Sequence, residues 1–159
     1  MRQIIPDVSV TTDIIAGFSG ETEEDHQATV RALEEIRYDS AYIYKYSLRP
    51  ATPAAKLPDD VPLEIKERRN HELLALERKI MIENSRQWLG KTINVFVEKK
   101  STKVKKETGN NSCLSPFLIG RTDQDKKVIF EGSPSLIGQF VPVRLKDLRH
   151  ETFAGTLSF

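Results

Sequence analysis

Two hydrophobic periods run along this chain, and they change over at Gly90. Before it, apolar residues sit in short β-rich runs or recur at helical spacing; after it they alternate. Val8–Ala16 (VSVTTDIIA) predicts a strand, and Gly17-Phe18-Ser19-Gly20 a tight turn. Thr22 followed by Asp25 has the spacing of a capping box, in which side chain and backbone at a helix start satisfy each other. The helix that follows carries His26, Val30, Leu33 and Arg37 on one side, with Ile36 adjacent, and Asp39-Ser40 breaks it. Ala41–Ser47 (AYIYKYS) predicts a second strand. Arg49 to Pro62 holds four prolines and predicts a loop. Asp59-Asp60 are candidate caps for a long helix that starts near Pro62 and ends near Leu89, with Gly90 as its stop. Its apolar stripe is Leu73, Leu76 and Ile80; Leu74, Met81 and Trp88 repeat every seven residues beside it.

Beyond Gly90, residues alternate at Ile93, Val95 and Val97, at Val128 and Phe130, and at Val141, Val143 and Leu145. Glycines punctuate these runs, so several short strands are predicted to close into a small β-barrel. Lys99–Pro116 is polar and lysine-rich and reads as a long mobile loop. The first ninety residues are strand–helix–strand–helix, an α/β pattern with parallel strands. Two parallel strands cannot cover both of their faces, so this part reads as a piece of a larger α/β sheet or barrel. Its open strand edges predict marginal stability in isolation.

Charge sharpens the boundary. Up to Gly90 there are 12 Lys+Arg and 16 Asp+Glu; from Lys91 onward there are 12 and 7, a step from −4 to +5 that sums to the net +1. A basic C-terminal unit calls for a polyanionic partner. Hydrophobic residues at 38% and charged residues at 30% fit a globular chain, and no run reaches the ~20 apolar residues of a membrane span. The cytoplasm is the expected location. Cys113 is alone, which excludes an internal disulfide and a multi-cysteine metal site within this chain.

The strand–glycine–helix junction, Thr12–Glu21, is either a structural turn or a place where a ligand meets backbone and helix N-terminus. Glu21, Glu23, Glu24 and Asp25 would repel phosphate there and favour a cationic or zwitterionic ligand. In the basic unit, Arg121, Lys126, Lys127, Arg144, Lys146 and Arg149 are candidate phosphate contacts, with Lys99, Lys100, Lys103, Lys105 and Lys106 in the loop. Phe117, Phe130 and Phe140 are candidates for base stacking or for the core, and for Phe130 and Phe140 the core is the expectation. His26 is expected to pack on its helix face, and His71 and His150 to lie on the surface.

These segments carry a resemblance. TTDIIAGFSGETEED (residues 11–25) resembles the fifth-strand segment of radical S-adenosylmethionine (SAM) methylthiotransferases, whose related pattern is GxIxGxxE. YKYSLRPATPAA (44–55) resembles their YSPRPGTPAA segment in its tRNA-modifying form. LPDDVPLEIKERR (57–69) is similar to the linker into the last helix of the MiaB type. GRTDQDKKVIFEG (120–132) and LIGQFVPVRL (136–145) are similar to pieces of the TRAM domain, a small RNA-binding barrel. The resemblance implies a fold of α/β plus all-β class: part of a radical SAM, half TIM-like α/β barrel with its linker helix over residues 1–90, then a TRAM β-barrel, OB-like, over 91–159. It departs at Ser19, His26, Leu48 and Ala51, where the family has Pro, Phe, Pro and Gly.

By the same resemblance, Ile15 stands where an apolar residue packs on the adenine of SAM. Gly17, Gly20 and Glu21 match the motif's glycines and acid, Asp13 falls on its opening glycine, and Ser47 and Arg49 belong to the second segment. Family members use SAM and two 4Fe–4S clusters to put a methylthio group on N6-isopentenyladenosine beside the anticodon, with the TRAM barrel holding the tRNA anticodon arm. Cluster irons need several Cys thiolates. The CxxxCxxC motif and the second cysteine set are absent from this sequence. This chain alone is therefore expected neither to cleave SAM nor to supply catalytic or metal-binding residues, and the rest of such an enzyme is an expected partner. A stand-alone TRAM-type RNA-binding module, or part of a methylthiotransferase acting on another substrate, stays open beside that reading.

Overall fold

The computed structural model describes residues 2–101 and 116–158. The expectations placed on Lys103, Lys105, Lys106 and Cys113 lie outside them. The chain forms two compact units, Ser9–Asn84 and Met1–Val8 with Ser85–Phe159.

The first unit holds β1 (Thr11–Ala16), α1 (Glu23–Ile36), β2 (Ser40–Lys45) and most of α2 (Leu63–Arg86), with a 3-10 turn at Pro53–Lys56. β1 and β2 pair in parallel, from Thr11 opposite Ser40 to Ala16 opposite Lys45. The predicted capping box is present: Asp25 N donates to Thr22 Oγ1, and the Asp25 carboxylate accepts from Thr22 N. α1 ends at Arg37, which adopts a left-handed conformation, and Asn84 Nδ2 donates to the Arg37 and Tyr38 carbonyls. Arg37 is thus a C-cap paired with Glu83, rather than part of the helix's inward stripe. Thr12, Ile14 and Ala16 alternate inward with Ala41 and Ile43; Ala16, Ala41, Ile43, Leu33, Leu73 and Ile80 make one core. The predicted stripe of α2 is therefore the buried one. The proposed seven-residue repeat beside it is corrected: Leu74 is exposed, the helix ends at Arg86, and Trp88 belongs to the second unit's core. Asp59 and Asp60 do not cap α2 either; Asp59 pairs with Lys66, and Asp60 accepts from Gly20 N at 2.8 Å.

The second unit is a closed barrel of β3 (Thr92–Lys100), β4 (Phe117–Arg121), β5 (Lys127–Glu131), β6 (Phe140–Arg149) and β7 (Thr152–Leu157), with strand order β3-β4-β5-β7-β6. β5 and β7 run parallel; the other pairs are antiparallel. This is the ring order of an OB-like barrel. Val95, Val97, Leu118, Val128, Phe130, Val143, Leu145 and Phe153 fill it, and Trp88 joins them. The predicted alternations mark β3, β5 and β6. β4 and β7 escape that pattern because glycine holds an inward position in each. A Cβ on Gly120 would meet the Phe96 carbonyl, and one on Gly155 would meet the Arg144 carbonyl and a Val143 methyl. Strands approach so closely there that no side chain fits, and the hydrophobic alternation drops out.

Candidate functional site

In the α/β unit, the sheet has one face on the helices and one face open. Asp13 and Ile15 of β1 stand in register with Tyr42 and Tyr44 of β2 on the open face. Ile15 is 55% exposed, Tyr42 59% and Tyr44 58%, unusual values for three large residues in one short parallel sheet. Such a face suits a flat, partly apolar group. Ser47 and Arg49 follow β2 and are exposed, and the Arg49 carbonyl accepts the Thr52 hydroxyl at 2.8 Å.

The glycine turn is closed by its own chain. Gly17 is buried with a φ of 76°, and its N–H donates to the Glu21 carboxylate. A Cβ on Gly17 would strike the Lys66 side chain. Gly20, with a φ of 74°, donates to Asp60. Glu21 also accepts from Arg69 Nη1 at 3.1 Å, and Arg69 Nη1 reaches the Glu21 carbonyl at 2.9 Å. Arg69 and Glu21 side chains are 5% and 11% exposed, so this is a buried pair. Glu23 receives Gln27 Nε2, Arg68 and Arg69, and these donors hold its carboxyl down at about 2. The cation that the acidic cluster calls for is thus internal. Lys66 and Arg69 lie on the same helical stripe as Leu73, Leu76 and Ile80, seven and four residues before Leu73. That spacing was the available signal, and two cations on a buried stripe opposite an acidic cluster mark an ion pair. Lys66 also lies 5.1 Å over the Tyr46 ring, which meets Phe18 edge-on at 5.0 Å.

His26 is fully buried, with Nε2 2.9 Å from Glu72. His71 and His150 are exposed. Among the described residues no group of His, Cys, Asp or Glu could hold a metal ion. With Cys113 as the single thiol, the donors of this chain do not fit an iron–sulfur cluster. The open face around Ile15 does fit a nucleoside's apolar ring. Gly17 N and Arg69 Nη1 both donate to Glu21 Oε2, so that oxygen is committed to the turn itself.

The six phosphate-contact candidates of the barrel fall into two groups. Lys127, Arg144 and Lys146 are exposed. Arg121 is fixed between carboxylates, 2.8 Å from Asp125 and 3.2 Å from Glu98; Asp125 above all holds the guanidinium proton more tightly than usual. Lys126 is half-buried beside it. Arg149 pairs with Asp147 at 3.0 Å. Of the aromatics, Phe130 is fully buried as expected and Phe117 half-buried, whereas Phe140 is 63% exposed. The expectation of a core Phe140 is therefore corrected: Val141, Val143 and Leu145 point inward, so Phe140, Pro142 and Arg144 between them point out. The same logic exposes Phe96, which sequence reasoning passed over although Val95 and Val97 flank it.

No helix among the described residues is long and apolar enough to cross a membrane. Residues 86–157 match the TRAM domain. Over all 159 residues the chain is 42% identical to the tRNA-2-methylthio-N(6)-dimethylallyladenosine synthase of Pelotomaculum thermopropionicum, covering 33% of that protein. It is 42% identical to the protein so named in Phocaeicola vulgatus, over 98% of this chain and 32% of that one. In Chlorobium phaeobacteroides the identity is 43%, over 98% of this chain and 33% of the relative. The chain spans about a third of the length of the curated relatives it matches.

Proposed function

We propose, from the premise that this chain is homologous over its whole length to the C-terminal third of MiaB-type tRNA-2-methylthio-N(6)-dimethylallyladenosine synthases and carries their TRAM domain, that it does the tRNA-holding work of such an enzyme. The parent reaction adds a methylthio group to N6-isopentenyladenosine beside the anticodon, in the cytoplasm. Residues 1–90 are proposed as the last part of the radical SAM barrel with its linker helix, and 91–159 as the RNA-binding barrel. The observation that carries this is the coincidence of the TRAM match with a closed, OB-ordered barrel whose outer wall carries Lys127, Arg144 and Lys146.

SAM, when bound, supplies the radical and the methyl group; the two 4Fe–4S clusters of the family find no ligands in this chain. Asp13 and Ile15 are proposed to meet the nucleoside on the open face, with Ser47 and Arg49 at its end. Gly17, Gly20 and Glu21 are proposed to set the course of the turn that borders it. For the anticodon arm, Lys127, Arg144 and Lys146 are proposed as phosphate contacts. Arg121, with two carboxylates against it, adds little net charge and acts with Lys126 to hold the β4–β5 turn.

The test is tRNA binding by the purified chain across a salt series, with SAM binding measured alongside by equilibrium dialysis. We expect affinity to fall steeply with salt, the slope easing by about 1 for each of Lys127, Arg144 and Lys146 replaced by Ala. The Arg121→Ala variant is expected to change the slope least. Failure of the wild-type chain to bind tRNA at low salt overturns the proposal.

A further inference from the structure

The barrel's outer wall carries an aromatic pair that the core does not need. Phe96 on β3 and Phe140 on β6 stand opposite each other in register, with ring centroids 5.2 Å apart and planes inclined at 51°. They are 39% and 63% exposed, although the strands that bear them keep Val95, Val97, Val141 and Val143 buried. The cross-strand contact of the rings contributes only a little to stability, a small return for leaving two phenyl rings in water when the core beneath is already complete. An exposed aromatic pair on a barrel wall is the signature of a surface that binds something flat.

The surroundings indicate what. The same register row continues from Phe96 to Arg121 on β4, so a guanidinium flanks the pair on one side. Along the strands the next outward rows are Asn94 with Pro142, then Thr92 with Arg144 and, across β7, Thr156. The wall thus presents two rings, then a small polar row, then a cation. Two phenyl rings and a proline amount to far less apolar area than a stable protein interface requires, ~800 Å² per partner. They match the area of one or two nucleobases, and Arg144 stands two strand rows away on the same face for a phosphate.

We infer that Phe96 and Phe140 form a stacking platform for an unpaired base of the bound RNA, with Arg144 taking the backbone of the same strand. This inference rests on the RNA-binding reading of the barrel and adds a preference to it: the wall distinguishes unpaired from paired RNA. The cations alone cannot do so, because phosphates are present in both. A base locked in a duplex hides its faces; one in a loop offers them to the rings.

The experiment uses the whole chain and two labelled RNAs of equal length and charge, a hairpin with an unpaired loop and a fully paired duplex, titrated at one salt concentration. The wild type is expected to prefer the hairpin. Phe140→Ala is expected to weaken hairpin binding by about 5- to 150-fold, the range for loss of one base–aromatic stack, while duplex binding and the salt slope stay put. Phe96→Ala acts in the same direction. Phe140→Trp restores the hairpin preference, and its added indole emission is quenched by the hairpin and not by the duplex. Arg144→Ala weakens both RNAs. Because both rings face solvent, each variant is expected to stay folded and to lose no more stability than one cross-strand pair supplies. If the wild type binds neither RNA, the RNA-holding function itself fails. If it binds both and Phe140→Ala changes neither, the platform alone is overturned. It is overturned equally if Phe140→Ala abolishes self-association in sedimentation while hairpin affinity is unchanged, since the rings then serve a second copy of the chain.

Discussion

In the barrel every strand has a hydrogen-bonded neighbour on each side; in the α/β unit, among the described residues, β1 and β2 have only each other. The barrel encloses a core in which Phe130 and Phe153 are almost wholly out of water, and glycines let its strands close. The α/β unit buries one sheet face, leaves Ile15, Tyr42 and Tyr44 on the other, and relies on buried charge at its turn: Arg69 with Glu21, Lys66 with Asp59. The barrel's fold is complete by itself. The α/β unit keeps one sheet face open, and its polar contacts specify a turn rather than a core. The lesson is that one chain can join a barrel whose strands are all paired to a two-stranded sheet that keeps one face open.

The largest effects come from removing the defining interaction of each unit. Phe130→Ala opens a cavity in the barrel and is expected to cost about 3–5 kcal/mol. Arg69→Ala leaves the buried Glu21 carboxylate without its cation and is expected to cost about 3–5 kcal/mol as well, in the other unit. Two probes separate them in a urea titration. Trp88, the one tryptophan, sits in the barrel core and reports by fluorescence; α1 and α2 report by far-ultraviolet circular dichroism. Phe130→Ala is expected to move the fluorescence transition and Arg69→Ala the dichroism transition. If each variant moves both signals together, the two units are one cooperative body and the comparison breaks.

A smaller effect of opposite sign tests a turn. Ala51 adopts a φ of 64°, a left-handed conformation that an L side chain resists, directly after Pro50. The methylthiotransferases that this segment resembles have glycine there. Ala51→Gly is expected to relieve the clash, offset in part by glycine's greater freedom when unfolded, for a net gain of about 0.5–1 kcal/mol. The gain is read as a higher dichroism midpoint with the fluorescence midpoint unmoved. A loss of stability would mean that the turn's strain is absorbed elsewhere.

How much of this was legible beforehand follows from which physical signal each residue carries. Period-2 alternation marks β3, β5 and β6, and the same alternation puts Phe96 and Phe140 on the outer wall. It fails at β4 and β7, where Gly120 and Gly155 replace the inward side chain. The capping box at Thr22 and Asp25 is local chemistry and was readable outright. Asp59 and Asp60 have the spacing of caps, but their partners, Lys66 and Gly20, are set by tertiary contacts that spacing does not encode. Trp88 fits a heptad on paper; only the end of α2 at Arg86 releases it to the barrel. The cations at the barrel's β4–β5 turn were legible as charges, but Arg121's carboxylate partners were not.

The smallest expected difference between the units is their response to acid. Among the carboxylates held below their usual range, Glu23, Asp25 and Glu67 belong to the α/β unit and Asp147 to the barrel. The causes are Gln27 and then Arg68 at Glu23, the Thr22 N–H at Asp25, Lys45 at Glu67 and Arg149 at Asp147. A carboxyl whose folded pKa is lowered binds its proton more readily once the chain unfolds. Its contribution is therefore fully present above the ordinary value of 4.5 and disappears as pH falls toward about 2, as at Glu23. All four groups are solvent-exposed, so each contribution is slight and weakens with salt. Acidification below pH ~4.5 is expected to lower the dichroism midpoint slightly more than the Trp88 midpoint, and added salt to shrink the gap. Equal shifts of the two midpoints would mean that these capping and surface pairs do not distinguish the units, leaving the buried Arg69–Glu21 pair as their main electrostatic difference.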